Sequence, residues 1–197
     1  MARRIMILSQ ISLSPRDISK EEIHDEYGIH KLVYDLFPGN SRDFLYQEMP
    51  GDRALRKILV LSQNTPSNNK NLNIRSKDLP MSYLDWSEYM FKVRLNPVRN
   101  VKGFKNKKPV IGREELLDWF CGRSQQWGFS PYRDNLEVSE VGSISFKSKG
   151  NNLRFHQAMF SGILKVEDKT LFRESFTKGL GRGKAFGFGL LQLKPLN

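Results

Sequence analysis

The chain has 197 residues, of which 39% are hydrophobic and 27% are charged, and this length and composition suit a globular protein of one domain or two small ones. Its 32 Lys and Arg residues against 21 Asp and Glu give a formal net charge of +11, which favours a polyanionic partner because each neutralised phosphate releases counterions. A single cysteine, Cys121, excludes an internal disulfide and a multi-cysteine zinc site. No apolar run approaches the roughly 20 residues of a membrane span. We therefore expect a cytoplasmic protein with no membrane partner.

The first segment of the chain has the pattern of a strand followed by helix. A nearly continuous apolar run predicts a strand over residues 5–13. Ser19 and Glu22 have the spacing of a capping box and predict a helix start there. A buried helical stripe at i, i+3, i+4, i+7 and i+8 then follows, formed by Ile29, Leu32, Val33, Leu36 and Phe37. Residues 38 and 39, a Pro and a Gly, are predicted to end it.

Strand patterns continue the first half of the chain. Residues 44–49 and 57–62 are predicted strands, joined by a turn at 50–52. Residues 64–73 are rich in Asn, Ser and Pro and indicate a loop. A further strand is predicted over residues 88–95.

The second half follows the same plan. A helix is predicted over residues 113–126, followed by two long strands over 136–146 and 153–166. Asp168 is a candidate cap for a short helix ending at residue 176, and a last strand is predicted over 187–193.

Together these patterns predict an α+β fold of two tandem ferredoxin-like (βαββαβ, RRM-like) domains, each with an antiparallel sheet. We expect an N-terminal domain over residues 1–97, a basic linker or loop over 98–112, and a C-terminal domain over 113–197. The second helix of the first domain has no evident pattern.

Positive charge is concentrated in residues 89–113, which contain no acidic residue. The cations of this segment are Lys92, Arg94, Arg99, Lys102, Lys105, Lys107, Lys108 and Arg113. Phe91 and Phe104 are interleaved with them, a mixture that suits an arm lying over a phosphate backbone. A solvated, charged linker between domains explains the segment equally well.

A second feature is the glycine-rich loop over residues 179–189. Five glycines occur in these eleven residues: Gly179, Gly181, Gly183, Gly187 and Gly189. Glycine lets the backbone approach a ligand, and Arg182 and Lys184 add charge. A dinucleotide fingerprint is excluded by Lys184 at its sixth position, and a P-loop by Lys178 and Ala185. The pattern is G-h-G, five residues, G-h-G, where h is apolar; a tight turn is the plain alternative.

A third feature is a polar and aromatic stripe at helical spacing, formed by Tyr27, His30, Lys31 and Tyr34. A helical histidine is more often a surface or core residue than a catalytic one. His24, in an acidic stretch, and His156, in a predicted strand, are weaker candidates. The histidine and acid spacings match no metal motif, so a metal-dependent nuclease is disfavoured and we expect no cofactor.

Three motifs resemble those of the CasE-type CRISPR RNA endoribonucleases of type I-E Cascade, in the RAMP superfamily. They are the glycine loop with the following L-L-x-L-x-P up to Pro195, the run Tyr27-Gly28-Ile29-His30, and the run Phe91-Lys92-Val93-Arg94-Leu95-Asn96-Pro97. Their order and spacing fit nearly the whole chain, whereas segments 64–80 and 130–152 carry no resemblance.

The resemblance implies cleavage of a CRISPR repeat hairpin, with the protein remaining on the mature guide RNA (crRNA) beside other Cascade subunits. His30 matches the catalytic histidine and Tyr27 its aromatic companion. The expected RNA-binding residues are Lys31, Arg94, Arg99, Lys102, Lys105, Lys107, Lys108, Gly179, Gly181, Arg182, Gly183 and Lys184.

The chemistry expected of such an enzyme needs no metal. A ribose 2′-OH attacks the adjacent phosphorus and leaves a 2′,3′-cyclic phosphate and a 5′-OH. Which of His30 and Tyr27 is the acid and which the base stays open. A non-catalytic RNA-binding RAMP subunit is the main alternative. A DNA-binding or translation-associated basic protein is a third, which leaves the glycine loop unexplained.

Overall fold

A computed structural model describes residues 5–39, 43–52, 55–68, 70–103, 107–148 and 151–196. The chain forms two compact units. The first comprises Met1–Tyr83, Phe146–Leu153 and Lys184–Gly187; the second comprises Leu84–Ser145, Arg154–Gly183 and Phe188–Asn197. The predicted division of the chain into domains 1–97 and 113–197 with a linker at 98–112 stays a prediction.

The first unit is a four-stranded antiparallel sheet with two helices. Its strands are β1 (Ile5–Leu13), β2 (Phe44–Asp52), β3 (Leu55–Ser62) and β4 (Asn73–Pro80), in the order β2-β3-β1-β4. Its helices are α1 (Pro15–Lys20) and α2 (Glu26–Asp35). In the centre of the sheet, Ile11 of β1 lies opposite Ile58 of β3 on one side and Ile74 of β4 on the other.

Helix α2 forms where the sequence predicted a buried stripe. Asp25 caps it, because its Oδ1 accepts a hydrogen bond of 2.9 Å from the Gly28 amide. Leu32 and Val33 are 2% and 0% exposed and lie in one core with Ile11. Each such side chain stabilises the fold by about 1.5–3 kcal/mol relative to an exposed position.

The predicted helix start at Ser19 and Glu22 is wrong. The capping box is instead formed by Ser14 and Asp17, at the start of α1. Glu22 has φ +52°, outside the helical region, and separates α1 from α2.

The second unit is a five-stranded antiparallel sheet, a short two-stranded ladder and two helices. Its strands are β5 (Glu88–Leu95), β6 (Val98–Arg99), β7 (Lys108–Pro109), β8 (Phe129–Pro131), β9 (Glu137–Ser148), β10 (Asn151–Val166) and β11 (Gln192–Pro195). The helices are α3 (Arg113–Ser124) and α4 (Lys169–Lys178). The sheet order is β11-β5-β10-β8, with β9 paired to β10, while β6 pairs with β7. The predicted α+β class with antiparallel sheets is therefore confirmed.

Aromatic side chains dominate the core of the second unit. Phe120 of α3 is fully buried and stacks on Phe91 and Phe160, with ring centroids 5.5 Å and 4.6 Å away. Helix α4 is capped as predicted, because Asp168 Oδ1 accepts from the Thr170 and Leu171 amides.

Several strands differ from the prediction: β6, β7 and β8 had no predicted counterpart, and β2 extends through the predicted turn at residues 50–52. Two further differences have a clear physical reason. Strand β4 was missed, because most of its side chains are exposed and polar and no apolar alternation marks it. The last strand was placed too early: it begins at Gln192, since Gly187 and Gly189 have φ near +80°, which a β-strand does not allow. Within the described residues, the longest helix has 12 residues, and none is long and apolar enough to cross a bilayer.

Candidate functional site

The imidazole of His30 is fixed by a backbone carbonyl. His30 lies half-buried on α2, and its Nδ1 is 2.8 Å from the oxygen of Ala185. A carbonyl only accepts, so Nδ1 carries the hydrogen of this bond. The neutral ring then has its lone pair on Nε2, the atom suited to take a proton from a substrate.

Tyr46 shares the same acceptor. Its ring is 2% exposed, and its hydroxyl donates a 2.9 Å hydrogen bond to the Ala185 oxygen. The carbonyl thus accepts from both Tyr46 and His30. Because Tyr46 comes from β2 and His30 from α2, the sheet and the helix together hold the short turn formed by residues Lys184–Phe186.

Aromatic rings surround His30. The centroids of Tyr34, Phe186 and Tyr27 lie 4.2, 4.8 and 5.5 Å from its own. Phe146 adds to the cluster, 5.0 Å from Phe186 and 6.2 Å from Tyr27. Such rings limit the orientations of the imidazole and lower the local polarity, which strengthens electrostatic interactions there.

Positive charge borders this cluster. The exposed Lys31 places Nζ 5.6 Å from the centre of the Tyr27 ring, within the range of a cation–π contact. Lys184 begins the turn that carries Ala185. The three predicted residues Tyr27, His30 and Lys31 therefore lie together, and their roles stay predictions.

Apart from Tyr34, which belongs to the predicted stripe, the sequence pattern did not single out the other members of the cluster. Tyr46 lies in a strand, where its hydroxyl has no recognisable spacing from His30. Phe146 lies in a segment without family resemblance. Ala185 acts through its main chain, which no side-chain motif records. Phe186 alone carried a signal, as the aromatic residue inside the glycine loop.

Two positions of the glycine-rich loop require glycine because their φ is positive, and at one of them the backbone also lies very close to another part of the loop. Gly187 has φ +80°, and a Cβ there would lie 3.4 Å from the Tyr46 ring. Gly189 has φ +83°, and a Cβ would lie 2.3 Å from the oxygen of Leu180, whose amide donates to Gly189. These glycines thus bring the two arms of the loop together.

The remaining loop residues have diverse surroundings. Gly179 is buried and ends α4, its amide donating to Ser175. Gly181 is exposed, and a Cβ on Gly183 would meet the Phe188 ring at 2.9 Å. Arg182 is an exposed residue of the second unit, whereas Lys184 belongs to the first.

The basic segment, residues 98–112, is partly ordered by its own ladder. Pairing of β6 with β7 closes it, and the Trp119 indole donates to the carbonyl of Val98 over 3.2 Å. Because β6 and β7 pair with each other, the segment is not an extended linker over its whole length. Arg99 forms a 3.3 Å ion pair with Glu115.

The other predicted cations of this region differ in exposure. Lys102, Lys107 and Lys108 are exposed, and Lys105 lies outside the described residues. Arg94, on β5, is only 19% exposed, with Nη2 4.0 Å from Glu140. Its partial burial distinguishes it from the exposed lysines of the basic segment.

A metal cluster is not found in the part of the chain that the structure describes: no three His, Cys, Asp or Glu side chains are grouped to hold an ion.

The fold is that of known RNA-bound endoribonucleases. A structure described as the CRISPR endoribonuclease Cse3 bound to a 19-nucleotide RNA superposes with a TM-score of 0.83 at 20% identity, covering 97% of this chain and 100% of the other. Thermus thermophilus Cse3 bound to an RNA representing a pre-cleavage complex gives 0.82 at 18% identity, covering 96% and 99%.

Sequence comparison leads to the family. The CRISPR system Cascade subunit CasE of Escherichia coli (strain K12) is 23% identical, over 93% of this chain and 99% of CasE. The profile of the family described as CRISPR associated protein matches residues 6–195. The chain therefore belongs to this family of CRISPR-associated proteins, and the resemblance predicted from the motifs is confirmed.

Proposed function

We propose that this protein is a metal-independent endoribonuclease that cuts the repeat hairpin of CRISPR precursor RNA and stays bound to the product within Cascade. One observation carries the proposal: His30 lies in an aromatic cluster with its Nδ1 hydrogen-bonded to a main-chain carbonyl, so Nε2 is the nitrogen that can exchange a proton. Its relatives, which include an RNA-bound endoribonuclease and a Cascade subunit, support the substrate and the partners.

The reaction is an internal transesterification. The ribose 2′ oxygen forms a bond to the adjacent phosphorus as the bond from phosphorus to the 5′ oxygen breaks. The 2′-OH loses a proton to the base, and the leaving oxygen gains one from the acid. The products are a 2′,3′-cyclic phosphate and a 5′-OH, and no water or metal is consumed.

Two groups of the cluster can perform the proton transfers. Nε2 of neutral His30 can accept the 2′-OH proton, and the imidazolium can return one to the leaving oxygen. The Tyr27 hydroxyl can donate to the leaving oxygen or orient the phosphate. Lys31 and Lys184 supply positive charge where negative charge develops on the phosphorane oxygens.

Tyr46 is proposed to position the base. By donating to the Ala185 carbonyl, it holds the acceptor that His30 needs, and so fixes the tautomer and the direction of Nε2.

The basic segment is proposed to hold the RNA hairpin. Its exposed lysines and Arg99 contact phosphates, since the major groove of an A-form helix is too narrow for side chains to read.

We also propose that each sheet is a ferredoxin-like unit. When the four strands of each unit are numbered in chain order, they lie side by side in the order 4-1-3-2. This order is β4-β1-β3-β2 in the first unit and β11-β5-β10-β8 in the second. In the first unit, the residues described between 63 and 72 contain no helix, so a second helical crossover is not seen there.

The test is cleavage of an end-labelled host-repeat hairpin in EDTA by wild type, His30→Ala and His24→Ala. We expect His30→Ala to lower the cleavage rate by about 10²–10⁴-fold with hairpin affinity kept within a few-fold. His24 is exposed and serves as the matched control, with a wild-type rate.

Each other outcome has a defined meaning. Tight binding without cleavage by wild type would assign the protein to the non-catalytic RNA-binding subunits. Equal cleavage by wild type and His30→Ala would keep the enzyme but reject this active site. A requirement for added Mg²⁺ would reject the metal-independent mechanism.

A further inference from the structure

A second feature capable of binding a ligand lies wholly within the second unit. It is a pocket of about 310 Å³. The lining residues that matter here are Asn96, Lys107, Arg154, Phe155, His156 and Arg182. Three are cations, and no carboxylate lines the pocket among the residues described. A site of this composition attracts an anion.

The cations of the pocket are available to a ligand. Lys107 and Arg182 are exposed, and neither pairs with a carboxylate in the described part of the chain. Among the described residues, Arg154 makes one hydrogen bond, from Nη2 to Ser143 Oγ over 3.3 Å, which leaves most of its guanidinium donors for a phosphate.

An unpaired acceptor lies beside these cations. Oδ1 of Asn96 is buried and has no hydrogen-bond partner within the described residues. Buried polar atoms are rarely left without a partner, so this oxygen calls for a donor from a ligand. Base amino groups, ring N–H groups and the ribose 2′-OH are such donors.

Aromatic surface completes the pocket. Phe155 rests against Phe188, with centroids 5.7 Å apart, and His156 is its neighbour in the chain. Burial, and secondarily the charge of Arg154, lower the pKa of His156 below its ordinary value of 6.5. His156 is therefore neutral at pH 7, and its ring can stack on a base while offering one donor and one acceptor.

We infer that this pocket binds one unpaired nucleotide of the RNA chain, through its phosphate and its base. Arg154, Lys107 and Arg182 contact the phosphate, and the ring of His156, which lies on the same face of β10 as Arg154, contacts the face of the base. Asn96 Oδ1 accepts a hydrogen bond from the base or the ribose. The inference rests on the proposed function and adds a site for a nucleotide outside the paired stem.

The volume supports a single nucleotide. Pockets for small organic ligands span about 300–1,000 Å³, and this one lies at the lower end. A paired stem, whose two strands and grooves are together much wider, does not enter a space of this size. An acidic peptide would satisfy the cations but leave the ring faces without a stacking partner.

The experiment compares three RNAs by fluorescence anisotropy: the repeat hairpin alone, and the hairpin with four unpaired nucleotides on its 5′ or on its 3′ side. All proteins carry His30→Ala, and gels confirm that the RNA stays intact. In this background we compare the pocket variant Arg154→Gln/His156→Gln, the variant Asn96→Ala, and the control Lys169→Gln, which removes an exposed charge of α4 outside the pocket. Thermal melting confirms that each variant folds.

We expect one tail to raise affinity about tenfold over the bare hairpin, as stacking of one base on aromatic rings does. The pocket variant should lose this gain, Asn96→Ala should lose part of it, and Lys169→Gln should retain it. No gain from either tail, or a gain that survives in the pocket variant, would overturn the inference, while hairpin binding would keep the proposed function standing. Absence of all hairpin binding would overturn both.

A parallel titration with fluorescent AMP separates the two sources of a nucleotide. AMP bound by the Lys169→Gln control and not by the pocket variant, together with no effect of either tail, would assign the pocket to a free nucleotide and overturn its assignment to RNA.

Discussion

Two histidines of this protein share a residue type and differ in nearly everything around them. His30, in the first unit, donates from Nδ1 to a main-chain carbonyl and is enclosed by rings of Tyr27, Tyr34 and Phe186. His156, in the second, lines a pocket beside Arg154 and is kept neutral by burial and by that positive charge.

Under the proposed function, the two histidines have different roles toward the same RNA. A general base needs a fixed tautomer and a fixed direction, which the Ala185 carbonyl gives to His30. A binding residue needs a flat surface and compatible charge, which His156 has among cations. Cleavage should therefore depend on the first unit's histidine, and affinity on the second's.

The largest expected effect tests whether the proposed cleavage at the His30 cluster needs the ribose 2′-OH as its nucleophile. A hairpin with a single 2′-deoxy nucleotide at the cut site lacks the nucleophile, so its cleavage should fall below detection. Its affinity should stay within about twofold, since phosphate contacts supply most of the binding. Gel assays and filter binding on the same RNA measure both, and cleavage of the deoxy substrate would rule out the proposed mechanism.

The next effect tests whether His30 needs its fixed acceptor. Tyr46→Phe removes one of the two donors to the Ala185 carbonyl, and we expect the cleavage rate to drop about tenfold with unchanged hairpin affinity. Tyr132→Phe removes a hydroxyl bonded to Glu88 in the second unit and is the matched control.

Single-turnover rates across pH 5–9 distinguish positioning from a merely structural role for Tyr46. A lost tautomer preference changes the rate profile, while a folding defect lowers the melting temperature. A wild-type rate and profile in Tyr46→Phe would show that the carbonyl needs no second donor.

A smaller effect concerns binding alone. Changing Lys102, Lys107 and Lys108 together to Gln should weaken hairpin binding and reduce the slope of log K against log salt by about one for each phosphate that is no longer neutralised. Cleavage at saturating protein should remain near the wild-type rate. An unchanged slope would return the basic segment to the role of a linker.

The smallest effect follows from His156. Its pKa is lowered in the folded protein, so the unfolded chain binds more protons as pH falls below about 6.5. Stability is therefore lost on acidification through this window. Urea unfolding at pH 7.5 and 5.5 should show a smaller loss in His156→Gln than in wild type, because the contributions of other groups cancel in the comparison. An equal loss in both proteins would place His156 in a fully solvated environment.

Most of the fold, and the part of the candidate site that lies on helix α2, could be predicted from the sequence. Strand β1 and strand β5 were predicted with their observed bounds, because β1 is a nearly continuous apolar run and β5 alternates between buried apolar residues and more exposed ones. Tyr27, His30 and Lys31 were grouped correctly, since one helical turn separates them. Both successes depend on residues close together in sequence.

Contacts between distant residues were beyond such patterns. Tyr46 and Ala185 are 139 residues apart, and nothing in either local sequence indicates that they meet. The pocket of the second unit draws Asn96, His156 and Arg182 from three separate segments. Strand β4 escaped because its polar surface resembles a loop, and its place is set by pairing with β1.

The Ala185 carbonyl has a consequence for how this protein can change over time. Because His30 and Tyr46 both bind the main-chain oxygen, their hydrogen bonds do not depend on the side chain at position 185. Gly187, two residues later, lacks that freedom, since its φ of +80° strains any residue other than glycine. We therefore expect substitutions to accumulate at position 185, which holds the histidine through its main chain, while glycine is kept at position 187. The backbone conformation of this turn should be kept more strictly than its sequence.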